Sequence, residues 1–168
     1  QTACTSIKTD DHSAAENVHL ALVAGSIPAS SGLSCRQLRF EYFTEPKTWS
    51  AARSDCQSRG GDLAKITSED ENDEAYAMTS QQDSWLGLTD AQSEGTWVWA
   101  DGSSVTFTPS AGEGFRSDNH GGDEDCAGFW SGRGGTPAAG QWDDMGGDSC
   151  AGELHYLCGV PPPPPPSP

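Results

Sequence analysis

Leu38, Phe40 and Tyr42 alternate with Arg39, Glu41 and Phe43, a period of two that predicts a β-strand. Thr48 then offers a helix N-cap, and Trp49, Ala52 and Cys56 follow at helical spacing until Gly60-Gly61 ends the run. Leu63 and Ile66 predict a short strand. Ser68-Glu69-Asp70-Glu71 has the form of a capping box, with acids in the first turn where the helix dipole favours them, and the second helix is expected to run to about Met78. Trp85-Leu86-Gly87-Leu88 and Thr96-Trp97-Val98-Trp99 are short apolar runs, the second closed by Asp101-Gly102. Ala127 to Ser131 and Gln141-Trp142 read as paired strands around a Gly-rich turn, and Leu154 to Val160 as a last strand.

Between Thr108 and Gly128 the periodicity almost vanishes, and Gly, Asp, Glu and Asn crowd together. A loop of this length in a small domain carries function or is disordered. Residues 1 to 34 are polar, then mildly apolar, then rich in Ser, Gly and Pro, and read as an N-terminal extension. The chain closes on Pro161 to Pro166, Ser167 and Pro168. Six prolines make a polyproline II rod of roughly 19 Å at about 3.1 Å per residue. In composition this tail resembles the hydroxyproline-rich segments of wall and matrix glycoproteins. It is expected to dock on neighbouring subunits, because a stiff extended segment loses little entropy on binding.

The 168 residues suit one domain. The net charge of −16 excludes nucleic acid and anionic membrane surfaces as partners. No apolar run is long enough for membrane insertion, and no apolar signal peptide opens the chain, so Gln1 reads as a mature terminus. The cysteines are Cys4, Cys35, Cys56, Cys126, Cys150 and Cys158, with no C-x-x-C pair. An even, widely spaced set predicts three disulfides in a secreted protein, with 15 connectivities open. His12, His19, His120 and His155 show no ligand spacing. No H-E-x-x-H, G-x-x-x-x-G-K or G-x-S-x-G motif occurs, and no enzymatic activity is expected. The tryptophans within short strands read mainly as core, with sugar stacking as their alternative role.

In this order the markers resemble the C-type lectin domain family. Thr48-Trp49 with Ala52 and Cys56 resembles its first helix, and Trp85-Leu86-Gly87-Leu88 its W-I-G-L strand. Trp97-Val98-Trp99 with Asp101-Gly102 resembles the next strand and turn. Glu124-Asp125-Cys126 resembles the E-D-C segment, Trp142-Asp143-Asp144 the W-N-D segment, and Cys150 with Cys158 the closing cysteines. The resemblance covers about residues 35 to 160. It implies disulfides Cys56–Cys158 and Cys126–Cys150, leaving Cys4 and Cys35 to pair with each other. Closing the first of these loops is worth on the order of 4 kcal/mol in the chain-entropy description.

The resemblance also implies calcium. A first site would take Asp90, Glu94, Asn119 and Asp125, with the backbone carbonyl of Glu124. The family's second, sugar-holding site uses an E-P-N or Q-P-D triplet, which falls on Arg116-Ser117-Asp118. There Arg116 stands in place of a ligand and Ser117 in place of the proline, while Asp118, Glu124, Asp143 and Asp144 remain. One positive and four negative charges leave that set at −3, a field that still suits a divalent ion. Arg116, Asp118, Glu124, Asp143 and Asp144 are thus the candidate ligand-binding residues.

The expectation is an α+β C-type lectin-like fold: two helices, small antiparallel sheets and a long calcium-braced loop, stapled by disulfides. Its divisions are 1–34, an extension; 35–160, the lectin-like domain; and 161–168, the polyproline tail. The expected function is calcium-dependent carbohydrate or glycoprotein binding in a secreted or cell-surface protein. The competing function is a structural subunit of an extracellular matrix that uses the same fold without sugar.

Overall fold

A computed structural model of the chain describes residues 39–110, 114–120, 122, 124–131, 140–145, 147 and 150–159. The N-terminal extension, the Cys4–Cys35 pairing and the polyproline tail lie outside the described residues.

The first strand, β1 (Phe40–Lys47), leads into α1 (Trp49–Ser58). Thr48 caps α1, its hydroxyl accepting from the Ala51 amide at 3.3 Å. Gly60, at φ +87°, donates to the Gln57 carbonyl and ends the helix. After β2 (Asp62–Leu63) comes α2 (Glu69–Met78), capped by Ser68. The capping box closes one residue early: the Glu71 carboxylate accepts from Thr67, amide and hydroxyl alike, and pairs with Arg39. Ile66 is buried but lies outside β2, whose ladder with the last strand covers only Asp62 and Leu63.

The remaining strands are β3 (Ser84–Thr89), β4 (Val98–Trp99), β5 (Phe115–Arg116), β6 (Cys126–Phe129), β7 (Trp142–Asp144) and β8 (Leu154–Gly159). They join in the order β1-β8-β3-β6-β7-β5, with β2 on β8 and β4 on β3. Most pairs are antiparallel, but β3 runs parallel to β8 and β5 parallel to β7.

Strand β3 is buried on both faces, which is why it reads as a continuous apolar run. Leu86 and Leu88 enter one core cluster with Phe40, Trp99, Phe129 and Trp142. Trp85 enters the other with Trp49, Cys56, Cys126 and Tyr156. Trp49, Trp85, Trp99 and Trp142 are all buried. The Trp49 and Trp85 indole N–H groups donate to the carbonyls of Leu86 and Lys47 at 2.8 and 3.0 Å, so each ring is buried without an orphaned donor. Strand β6 lies so close to β3 that a Cβ on Gly128 would fall 2.1 Å from the Ser84 carbonyl oxygen.

Both disulfides implied for this region are formed. Cys56–Cys158 joins α1 to β8, and Cys126–Cys150 braces the segment after β7.

Candidate functional site

Asp90 follows β3 directly, and its amide donates to the Asp125 carbonyl at 3.1 Å, which draws together the ends of β3 and β6. Tight turns then return the chain: the Gly95 amide donates to Asp90 Oδ2 at 2.8 Å, and the Ser93 amide to the Asp90 carbonyl at 2.8 Å. These turns bring Glu94 back beside Asp90. Ligand oxygens of Asp90, Glu94 and Asp125 lie within 4.8 Å of one another. Asp90 is 2 % exposed, and its Oδ1 is buried with no hydrogen-bond partner. Burial pushes the Asp90 carboxyl above the usual carboxylate range; the Gly95 amide opposes this, and the Asp125 charge adds to it.

Asn119 ties this group to a second one. It sits at φ +44°, a left-handed conformation that Asn tolerates. Its Nδ2 donates to Glu94 Oε1 at 2.6 Å, and its Oδ1 accepts from the Glu124 amide at 3.0 Å. Its own amide donates to Asp144 Oδ2 at 2.7 Å, beside the Asp118 amide on Asp144 Oδ1 at 3.2 Å. The Glu124 carboxylate turns the other way and accepts from the His120 amide at 2.9 Å.

In the second group, ligand oxygens of Asp118, Asp143 and Asp144 also lie within 4.8 Å of one another. Asp143 and Asp144 are buried at 7 % and 3 % exposure, whereas Asp118 is exposed. Arg116 reaches into this group. Its guanidinium bonds the Asp118 carboxylate and lies 3.8 Å from Asp143 Oδ1, a buried oxygen that accepts no hydrogen bond. Burial pushes the Asp143 carboxyl up to about 7; Arg116 pulls it down, and Asp144, Asp118 and Glu124 push it further up. Arg116 holds Asp118 below the usual range.

A cleft of about 350 Å³ opens over these residues. Arg116, Asp118, Glu124, Asp143 and Asp144 line it, so the candidate ligand-binding residues share one depression. Asp90, Glu94 and Asp125 are not among its lining residues. The cleft also takes in His120 and Asp83, which sequence reasoning did not place at a site, and Trp130, for which sugar stacking was the alternative to a core role. Trp130 is only half-buried, and the Arg116 guanidinium lies over its ring at 5.5 Å from the centroid.

The family model described as "Lectin C-type domain" matches residues 45–160. The chain belongs to the C-type lectin domain family. This C-type lectin domain is 38 % identical over 73 residues to C-type lectin domain family 4 member F of Rattus norvegicus, a match covering 43 % of this chain and 13 % of that protein. It is 39 % identical over 98 residues to the alpha-N-acetylgalactosamine-specific lectin of Patiria pectinifera, covering 52 % of this chain and 56 % of that one. Each match thus spans less than two thirds of the relative. Among solved structures it is similar to the carbohydrate-recognition domain of mouse scavenger receptor C-type lectin. The TM-score is 0.59 and the identity 29 %, over 73 % of this chain and 91 % of that one. The C-type lectin domain family is generally one of non-enzymatic binding modules. No helix among the described residues is long and apolar enough to cross a membrane.

Proposed function

We propose that this C-type lectin domain is an extracellular, calcium-dependent module that binds a carbohydrate or glycoprotein in the cleft beside Arg116 and Trp130. The observation that carries the calcium part is the Asp90 carboxylate. A buried, unpartnered carboxylate oxygen facing two further carboxylates is costly without a cation. Asp90, Glu94 and Asp125, with the Asn119 amide oxygen and the Glu124 carbonyl, would hold calcium, which takes six to eight oxygens. Its charge offsets the mutual repulsion of these carboxylates.

Asn119 carries the consequence to the cleft. Asn119 bonds both Glu94 and Asp144, so fixing Glu94 also steadies the backbone bearing Asp118 and His120. The cleft then offers what a sugar uses: carboxylate acceptors, guanidinium donors and an aromatic face. The likeness to an alpha-N-acetylgalactosamine-specific lectin supports a glycan as ligand. Two disulfides among the described residues support an oxidising, extracellular setting.

A glycan array with calcium and with chelator tests the proposal. Retention of a defined glycan set in calcium, weakened by chelator, is the expected result. A blank array in both conditions overturns it in favour of a structural subunit. The engagement of Arg116 with Asp118 is the observation that favours that second reading.

A further inference from the structure

We propose that Arg116 is a tethered cation: its guanidinium takes the place of a second divalent ion among Asp118, Asp143 and Asp144. The domain therefore binds one calcium ion, and its cleft works without a metal of its own. The inference rests on the calcium reading above only for that one ion.

The placement of Arg116 follows from the fold around it. The parallel register of β5 on β7 sets Phe115 against Trp142 and Arg116 against Asp143. Both neighbours of Arg116 are anchored. The Phe115 ring packs edge-on against Trp97 at 4.9 Å, and Ser117 Oγ accepts from Trp97 Nε1 at 3.1 Å. Held from both sides, Arg116 projects over the acids and across Trp130.

The cation position among these acids is already taken by Arg116. Asp118 is bonded by the Arg116 guanidinium through both Nη2 and Nε. Both Asp144 oxygens already accept backbone amides, those of Asp118 and Asn119. Asp143 Oδ1 accepts no hydrogen bond and faces Arg116 Nε at 3.8 Å. A guanidinium has five donors and no acceptor, so it cannot join a coordination shell. A divalent ion set among these oxygens would lie against a fixed positive charge. The same oxygens suit the guanidinium, which is always charged and less strongly hydrated than an ammonium. A sugar in this cleft therefore meets N–H donors and carboxylate acceptors directly, with no metal–oxygen bond.

Calorimetric calcium titration of the full chain tests this by counting ions. Wild type is expected to bind one. Arg116→Gln is expected to bind two, the second lost again when Asp143→Asn is added. Arg116→Lys keeps the positive charge and is expected to stay at one, which controls for damage to the fold. Two ions in wild type, or a single ion in Arg116→Gln with an unchanged near-ultraviolet spectrum, overturns the inference. If wild type binds none while Arg116→Gln binds one that Asp143→Asn removes, the role of Arg116 stands and the loop-calcium reading falls.

Discussion

The Asn72 side chain, fully buried on α2, accepts from the Trp142 indole N–H at 2.8 Å and donates to the Gly140 carbonyl at 3.0 Å. Both ends of one amide therefore hold the strand that carries Asp143 and Asp144. The contact spans 70 residues of sequence and joins a helix with no part in the cleft to the floor beneath it.

Asn72→Ala leaves a buried indole donor and a buried carbonyl unsatisfied. The expected loss is about 3 kcal/mol of stability, since each orphaned group costs roughly 1–3 kcal/mol. Urea unfolding measures it. An unchanged midpoint would mean that water replaces the amide.

Gly128→Ala is expected to cost about 3 kcal/mol or more, because the new methyl would meet the Ser84 carbonyl oxygen at 2.1 Å and part β6 from β3. Gly122 is the control. Its φ of +83° strains any side chain, but nothing lies within 4 Å of its Cβ position. Gly122→Ala therefore carries only the smaller backbone penalty of roughly 1 kcal/mol.

Calcium is expected to raise the melting temperature, by a stabilisation of about 2.7 kcal/mol at a hundred times Kd. Asp90→Asn separates the two effects of this carboxylate. Without calcium the variant is expected to melt at or above wild type, because a buried charge with one unpartnered oxygen, close to two further carboxylates, is gone. In saturating calcium it is expected to melt below wild type. Thermal scans in both conditions read this crossing, and parallel curves would contradict it.

The Asp101 carboxyl is held down to about 2 by the Ser103 hydroxyl and amide, and then by Lys65, whose ammonium lies 3.0 Å away. A depressed folded pKa means stabilisation that is whole above the unfolded value of about 4 and is lost as pH falls through about 2. The effect is small, because Asp101 is 52 % exposed and water screens the pair. Asp101→Asn is expected to flatten this part of the melting temperature against pH, between pH 4 and pH 2.

Much of the frame is legible in the chain because local chemistry and tertiary packing agree there. Thr48 and Ser68 cap the helices they announce, and Trp85-Leu86-Gly87-Leu88 is apolar throughout because both faces of β3 are covered. Strand β5 is not legible. It has two residues, and its ladder is supplied by β7, so no period can develop. The role of Asn72 is hidden for a similar reason: a polar residue within an acidic helix carries no mark of its partner on β7. The acids of the site could be named from the family resemblance, but that resemblance is silent on which carboxylate Arg116 would face. The register of β5 on β7 decides that.

The β1–β8 ladder has a mechanical consequence. Phe40 pairs with Gly159 at its outer end, and Cys158 comes one residue further in. Tension applied at these two ends peels the ladder pair by pair, and the load reaches the Cys56–Cys158 bond almost at once. From there it runs through residues 40 to 56 and across the sulfur atoms. The covalent ring from Cys56 to Cys158 encloses every candidate ligand, from Asp90 to Asp144, and bears none of the force. A domain stretched between these two ends can shed β1 while its cleft keeps its shape.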